Sequence, residues 1–317
     1  MAACVDKWHP THAGCLSSAI YHYLPDRAAT VDRAMPAAAP APASACCVRG
    51  GDDVWDELRA EAQADADAEP FLRKFYWDLV LSRPSLEAAL AAHLSAKLCV
   101  PGALPQDALR DLLAGALEAH PEAGRAARAD LLAARDRDPA CGRMVHCFLY
   151  YKGFLALQAH RAAHALWADG RAAAALLLQS RASEVFGVDI HPGARIGCGI
   201  LFDHATGVVI GETAVVGNDV SILHGVTLGG TGKESGDRHP KVGDGVLIGA
   251  GASVLGNVHI GAGGKIGAGA VVLRDVPEGT TAVGNPAKAI GKKAAPQRRP
   301  EEQPGVTMEQ GWSDYVI

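Results

Sequence analysis

Aromatic residues are scarce in this chain: Phe, Trp and Tyr make up 5% of its 317 residues. A core without rings must be filled by Ile, Val, Leu and Ala, which suits a regular and narrow interior. No run of about 18 apolar residues occurs, so no membrane-spanning helix is expected. The formal net charge of −5 leaves no basic footprint for nucleic acid. The eight cysteines, Cys4, Cys15, Cys46, Cys47, Cys99, Cys141, Cys147 and Cys198, include no C-x-x-C pair. That scatter points to reduced thiols in a cytosol-like compartment rather than to a disulfide framework or a zinc site. What is present excludes wholesale disorder, because 49% of residues are apolar and only 21% are charged. The length suits one or two domains with a sizeable core.

Glycine is unevenly spread. Residues 187–291 hold 25 of the 36 glycines and a single aromatic residue, Phe202. The same stretch has a period of six. Ile190, Ile196 and Phe202 are in phase. Ile210, Val216, Ile222 and Leu228 continue after a two-residue shift. Val242, Ile248, Val254, Ile260, Ile266 and Val272 form a third run. Glycine repeatedly follows the apolar residue, as at Gly197, Gly211, Gly249 and Gly267. A helix would show spacings of three and four, and a lone strand a spacing of two. A strict six with turn-permissive glycine predicts short strands joined by tight bends, stacked as a parallel β-helix. Residues 229–241, GGTGKESGDRHPK, interrupt the repeat as a polar loop, and an ejected loop on a solenoid suggests function. Its GGTGK lacks the spacing of a phosphate-binding P-loop.

Residues 51–186 read as a helical domain. Ser85 caps a helix through Leu86, Leu90, Leu94 and Leu98, and Pro105 opens another through Leu109, Leu112, Leu113 and Leu117. A third is expected over about 142–167 and a fourth over about 171–185. Residues 1–50 are rich in Ala, Pro and Cys, carry Asp6, Asp26 and Asp32, and lack an apolar signal segment. They are expected to be unstructured, and the compartment is expected to be the cytoplasm, with plastid or mitochondrion as the alternative. Residues 292–317 are expected to be a flexible tail with an apolar end, Trp312 to Ile317.

Two polar clusters interrupt the repeat: Asp189-Ile-His191-Pro at its start and Asp203-His204-Ala-Thr-Gly207 at its phase shift. A histidine is the side chain whose ordinary pKa suits proton transfer near neutrality, and a carboxylate partner orients it. The pattern fits a general base, and it equally fits solvent-facing strand residues.

Taken together, the segments LFDHATGVVIGETAVVGNDVSILHGVTLGGTGKESGDRHPK (201–241), VDIHPGARIG, VGNPAKAIG, DRDPAC (136–141) and YKGFLALQAHR (151–161) strongly resemble serine acetyltransferases of the plant and bacterial type. The resemblance covers about residues 52–291 and the last few residues. It implies an α+β fold: an N-terminal all-helical domain followed by a left-handed parallel β-helix of hexapeptide repeats, over residues 187–291. It implies serine O-acetyltransferase activity, with acetyl-CoA as co-substrate, no tightly bound cofactor and no metal. His204 resembles the catalytic base and Asp189 its orienting partner. Asp138 and Asp203 resemble the acids that bind the substrate ammonium, and Arg238 and His239 the pair that binds its carboxylate. Acetyl-CoA would lie in a groove between neighbouring β-helices, against Gly229, Gly230, Ala250 and Gly251, with Lys233 or Lys265 near its phosphates. Trimers, or trimers paired into hexamers, are implied. So are inhibition by L-cysteine at the serine site and a cysteine synthase complex, in which Ile317 enters O-acetylserine sulfhydrylase.

Three other readings compete. Cys198 could serve as a thiol nucleophile. The repeat also resembles the gamma-type carbonic anhydrases, which need three histidines on one zinc, whereas His191, His204, His224, His239 and His259 include no short pair. A different hexapeptide acyltransferase would act on a sugar or an antibiotic, against which the helical domain and the Asp-Arg-His-Pro loop argue.

Overall fold

A computed structural model describes residues 52–232, 235–290 and 299–309. The expected extension over 1–50, Lys233 and Ile317 lie outside the described residues. The helical part runs α1 (Asp52–Ala68), a tight turn at Pro70–Leu72, α2 (Arg73–Tyr76), a wide turn at Trp77–Leu81, α3 (Leu86–Leu98), α4 (Gln106–Ala119), α5 (Pro121–Arg137), α6 (Met144–Tyr150), α7 (Lys152–Ala168) and α8 (Ala172–Phe186). Ser85 starts α3 as its hydroxyl oxygen accepts from the Ala88 N–H at 3.2 Å. Leu109, Leu113 and Leu117 are the buried leucines of α4. The single helix expected over 142–167 is broken at Tyr151, whose φ of −81° and ψ of 104° are extended. The break lets α7 begin hard against the solenoid. Gly153 in its first turn has no room for a side chain, since a Cβ there would strike the Phe202 carbonyl oxygen.

The solenoid carries β1 (Asp189–Ile190), β2 (Arg195–Ile196), β3 (Leu201–Phe202), β4 (Val209–Ile210), β5 (Val215–Val216), β6 (Ser221–Ile222), β7 (Thr227–Gly229), β8 (Lys241–Val242), β9 (Leu247–Ile248), β10 (Ser253–Leu255), β11 (His259–Ile260), β12 (Lys265–Ile266), β13 (Val271–Val272), β14 (Thr281–Val283) and β15 (Lys288–Ile290). Successive strands visit three sheets in rotation. The first face is β1-β4-β7-β10-β13, the second β2-β5-β8-β11, and the third β3-β6-β9-β12-β14-β15. Pairing is parallel except between β14 and β15. Each in-phase residue from Ile190 to Val272 sits in one of β1–β13, and all but Ile196 are buried. A second inward row lies two positions earlier, filled by Ala and β-branched residues such as Ala194, Val208, Val220, Ala252 and Ala270, at 0% exposure. Aliphatic side chains in both rows fill a narrow interior in which Phe202 is the one ring.

The corner from the third face to the first explains much of the glycine. Gly207 donates to the Gly187 carbonyl, Gly225 to Thr206, Gly251 to His224 and Gly269 to Ala250, each at 2.8 Å. All five glycines have φ between 66° and 77°, the left-handed region. Coil lengths are unequal. Asp189 pairs with Val209, twenty residues on, and Val209 with Thr227, eighteen on. Thr227 pairs with Ser253, twenty-six on, and Ser253 with Val271, eighteen on. The first coil's extra residues fall between β3 and β4, around His204. The third coil's fall between β7 and β8, in the polar loop.

The apolar core is continuous from Val54 to Ala282, through helices and solenoid alike. Residues 299–309, expected within a flexible tail, are folded. Pro300–Glu302 forms a tight turn and Pro304–Thr307 a short helix, α9. The Ser221 hydroxyl donates to the Gly305 carbonyl at 2.5 Å, and Gly305 N–H donates to Gly245 at 2.8 Å. Polar and proline-rich composition is compatible with this docking because backbone groups make it. Cys99, Cys141 and Cys147 are free, as expected of reduced thiols, but Cys198 is disulfide-bonded. Among the described residues, no helix is long and apolar enough to cross a membrane.

Candidate active site

Two irregular corners flank the first face, and each gathers part of the expected site. The corner from the third face to the first carries Asp203 and His204. His204 and Ala205 have φ of 54° and 58°, a conformation costly for residues with a side chain and frequent at functional sites. The His204 side chain is 79% exposed, with Nε2 3.8 Å from Asp203 Oδ1. The His224 ring stands edge-on to it at 6.2 Å. The start of α7 supports this corner. Lys152 Nζ donates to the Thr206 hydroxyl, and Gly153 abuts Phe202 and Ala205. Asp138 contacts Tyr151, the residue just before Lys152. Burial and the Asp138 carboxylate, hydrogen-bonded to it, push the Tyr151 hydroxyl's pKa up. Asp138 Oδ1 also accepts from Ala140 N–H at 2.8 Å. Ala250 and Gly251 lie two coils along on this corner.

The corner from the first face to the second carries the other part. Arg238 Nη2 donates to Glu212 Oε2 at 2.8 Å. Thr213 Oγ1 accepts from the backbone N–H of Arg238 at 3.1 Å and of His239 at 3.2 Å. Thr213 N–H donates to His239 Nδ1 at 3.2 Å, which leaves Nε2 to carry the ring proton. Gly211 makes this possible, because a Cβ there would overlap the His239 ring. Burial first, then the neighbouring Arg238 charge, holds the His239 pKa below its usual value, with Glu212 opposing. His191 is lowered by burial too, against Glu212 and Asp189. Gly230 faces the same group, since a Cβ would meet Arg238 O at 3.4 Å and His239 Nε2 at 3.5 Å. Gly229 ends β7 beside it.

Asp189 opens the first face, between the two corners. The structure does not join it to His204. Its Oδ1 accepts from Gln179 Nε2 of α8 at 2.7 Å. Lys265 is not at either corner. It lies on the third face, where Nζ donates to the Glu309 carbonyl at 2.6 Å.

Comparison with known proteins decides what this arrangement belongs to. A family model for "Serine acetyltransferase, N-terminal" matches residues 54–159, and one for "Bacterial transferase hexapeptide (six repeats)" matches residues 239–274. The chain is 82% identical over 316 residues to probable serine acetyltransferase 4 of Oryza sativa subsp. japonica, covering 99% of this chain and 100% of that relative. The chain belongs to the serine acetyltransferase family. Serine acetyltransferase 3, mitochondrial, of Arabidopsis thaliana is 58% identical over 271 residues, which are 84% of this chain and 69% of that protein. A solved structure of soybean serine acetyltransferase complexed with serine is 61% identical with a TM-score of 0.73, covering 75% of this chain and 97% of that one.

For a serine acetyltransferase, the sequence left several supporting residues unnamed. Gln179, Thr213, Glu212 and Tyr151 contact the expected site residues Asp189, Arg238, His239 and Asp138, and Lys152 braces the His204 corner through Thr206, yet none stands in a cluster of reactive groups. Only their contacts show their part, and those contacts span from 10 positions, for Gln179 and Asp189, to 54, for Lys152 and Thr206. Among the described residues, no group of three or more His, Cys, Asp or Glu side chains is placed to hold a metal ion. Cys198 is 1% exposed and disulfide-bonded, so it offers no thiolate for a covalent mechanism.

Proposed function

We propose that this chain is a serine O-acetyltransferase that moves the acetyl group of acetyl-CoA to the hydroxyl of L-serine, giving O-acetyl-L-serine and CoA. This is the first step from serine to cysteine. The observation that carries the reading is the exposed, left-handed His204 beside Asp203, in a chain of this family. His204 takes the proton from the serine hydroxyl as that oxygen attacks the thioester carbonyl. The tetrahedral intermediate then expels the CoA thiolate, which recovers the proton from the imidazolium. Asp138 and Asp203 bind the substrate ammonium. Arg238 and His239 bind its carboxylate, for which a guanidinium fork is suited, and neutral His239 presents Nε2–H.

Those two sets lie on opposite edges of the first face. That separation supports a site completed between copies of a left-handed β-helix, assembled as trimers or paired trimers. Asp189 would then orient His204 across the same interface. Acetyl-CoA runs along the groove, against Ala250 and Gly251 from one copy and Gly229 and Gly230 from the next. Lys265, which gives one of its three N–H donors to the Glu309 carbonyl, remains the proposed phosphate contact. Inhibition by L-cysteine at the serine site, docking of Ile317 into O-acetylserine sulfhydrylase and a cytoplasmic location complete the proposal. The mitochondrial relative supports the organellar alternative. The test is CoA release from acetyl-CoA with L-serine or with sugar acceptors. Release with serine alone is expected, and equal or greater release with a sugar overturns the reading.

A further inference from the structure

We infer that Gln179 is a positioning residue for the acetyl transfer, acting through Asp189. This rests on the reading of Asp189 as the carboxylate that orients His204. Gln179 lies on α8, and its amide nitrogen is 2.7 Å from Asp189 Oδ1. A carboxylate only accepts hydrogen bonds, so the amide must turn its NH2 group toward Asp189. On that reading, Oδ2 is the oxygen that would meet the imidazole. Charge-assisted bonds of this length fix orientation as well as energy.

The other side of the amide has its own support. Gln179 and His160 line the same small cavity with Ala156, Leu178 and Ile190. Burial drives the His160 pKa well below its usual value, which keeps the imidazole neutral. Its Nδ1 is buried and has no hydrogen-bond partner among the described residues. Gln179 Oε1 and His160 Nδ1 are both acceptors, and one water molecule can donate to both. Such a bridge would fix the amide from behind while its NH2 holds Asp189. The charged and titratable groups near this line are His191, two residues beyond Asp189, with Glu212 and Arg238 beside it, and His164 and Arg161 beside His160.

The test uses the full-length protein with Gln179→Ala, Gln179→Glu and His204→Ala, assayed by CoA release. Gln179→Ala is expected to lower kcat about tenfold or more, the scale of one bond to a charged group, with KM for serine and acetyl-CoA within about twofold. Gln179→Glu separates positioning from packing. At pH 8 two carboxylates repel across this contact. Near pH 6 a shared proton lets the substituted carboxyl donate as the amide did. The activity ratio of Gln179→Glu to parent should therefore rise as pH falls. Parental kcat in Gln179→Ala, or a ratio flat with pH, overturns the inference. If His204→Ala retains turnover, the underlying reading fails as well; if only His204→Ala is inactive, the inference alone fails.

Discussion

At the scale of single residues, burial separates the histidines. His204, the proposed proton carrier, is exposed. His93 is 1% exposed, against Phe148, and burial pushes its pKa down to about 4. His160 is pushed the same way. In the unfolded chain both return to the ordinary value near 6.5. Between about pH 6.5 and 4 the unfolded chain therefore binds protons that the folded chain refuses. The stabilisation is complete above about 6.5 and is lost as pH falls toward 4, by about 3 kcal/mol for His93 alone. Urea midpoints measured from pH 7 to 4.5 should fall steeply, and less steeply in His93→Leu. Equal slopes for the two proteins would contradict this account.

At the scale of elements, a buried ion pair clamps helices to solenoid. Asp130 of α5 is fully buried and takes hydrogen bonds from Arg161 of α7 at 2.8 Å and 3.0 Å, from Gln158 at 3.0 Å and from the Ile200 N–H at 2.9 Å. Arg161 also donates to the carbonyls of Ile196 and Gly197. The clamp thus grips the bend before β3, which leads directly into Asp203 and His204. Asp130→Ala strands a buried guanidinium and should cost about 3–5 kcal/mol, read from denaturant unfolding. A loss under about 1 kcal/mol would show the pair to be idle. Pattern alone does not expose this clamp. The buried face of α5 is mostly alanine, including Ala123, Ala127 and Ala134, so its apolar contrast is low. Asp130 and Arg161 look like ordinary surface charges until the tertiary contacts are formed. The break at Tyr151 is hidden for a similar reason: it answers to the closeness of Gly153 and Phe202, residues about 50 positions apart.

At the scale of the whole molecule, the strand repeat was legible because one inward residue per strand is a local rule that every coil obeys. Its two breaks were legible too, and they proved to be the corners that gather His204 and Arg238. The partners of those residues were not legible, because contacts between coils leave no periodic trace. The docking of 299–309 was hidden because Gly305 fits by having no side chain against Asp219, Gly245 and Val246. The His204 corner is the proposed place of acetyl transfer. It is tested most directly by steady-state CoA release with L-serine and acetyl-CoA, comparing the parent with His204→Ala at matched circular dichroism. A fall in kcat of about 10²–10⁴ is predicted for loss of the general base. Near-parental turnover in a folded His204→Ala protein would contradict the account.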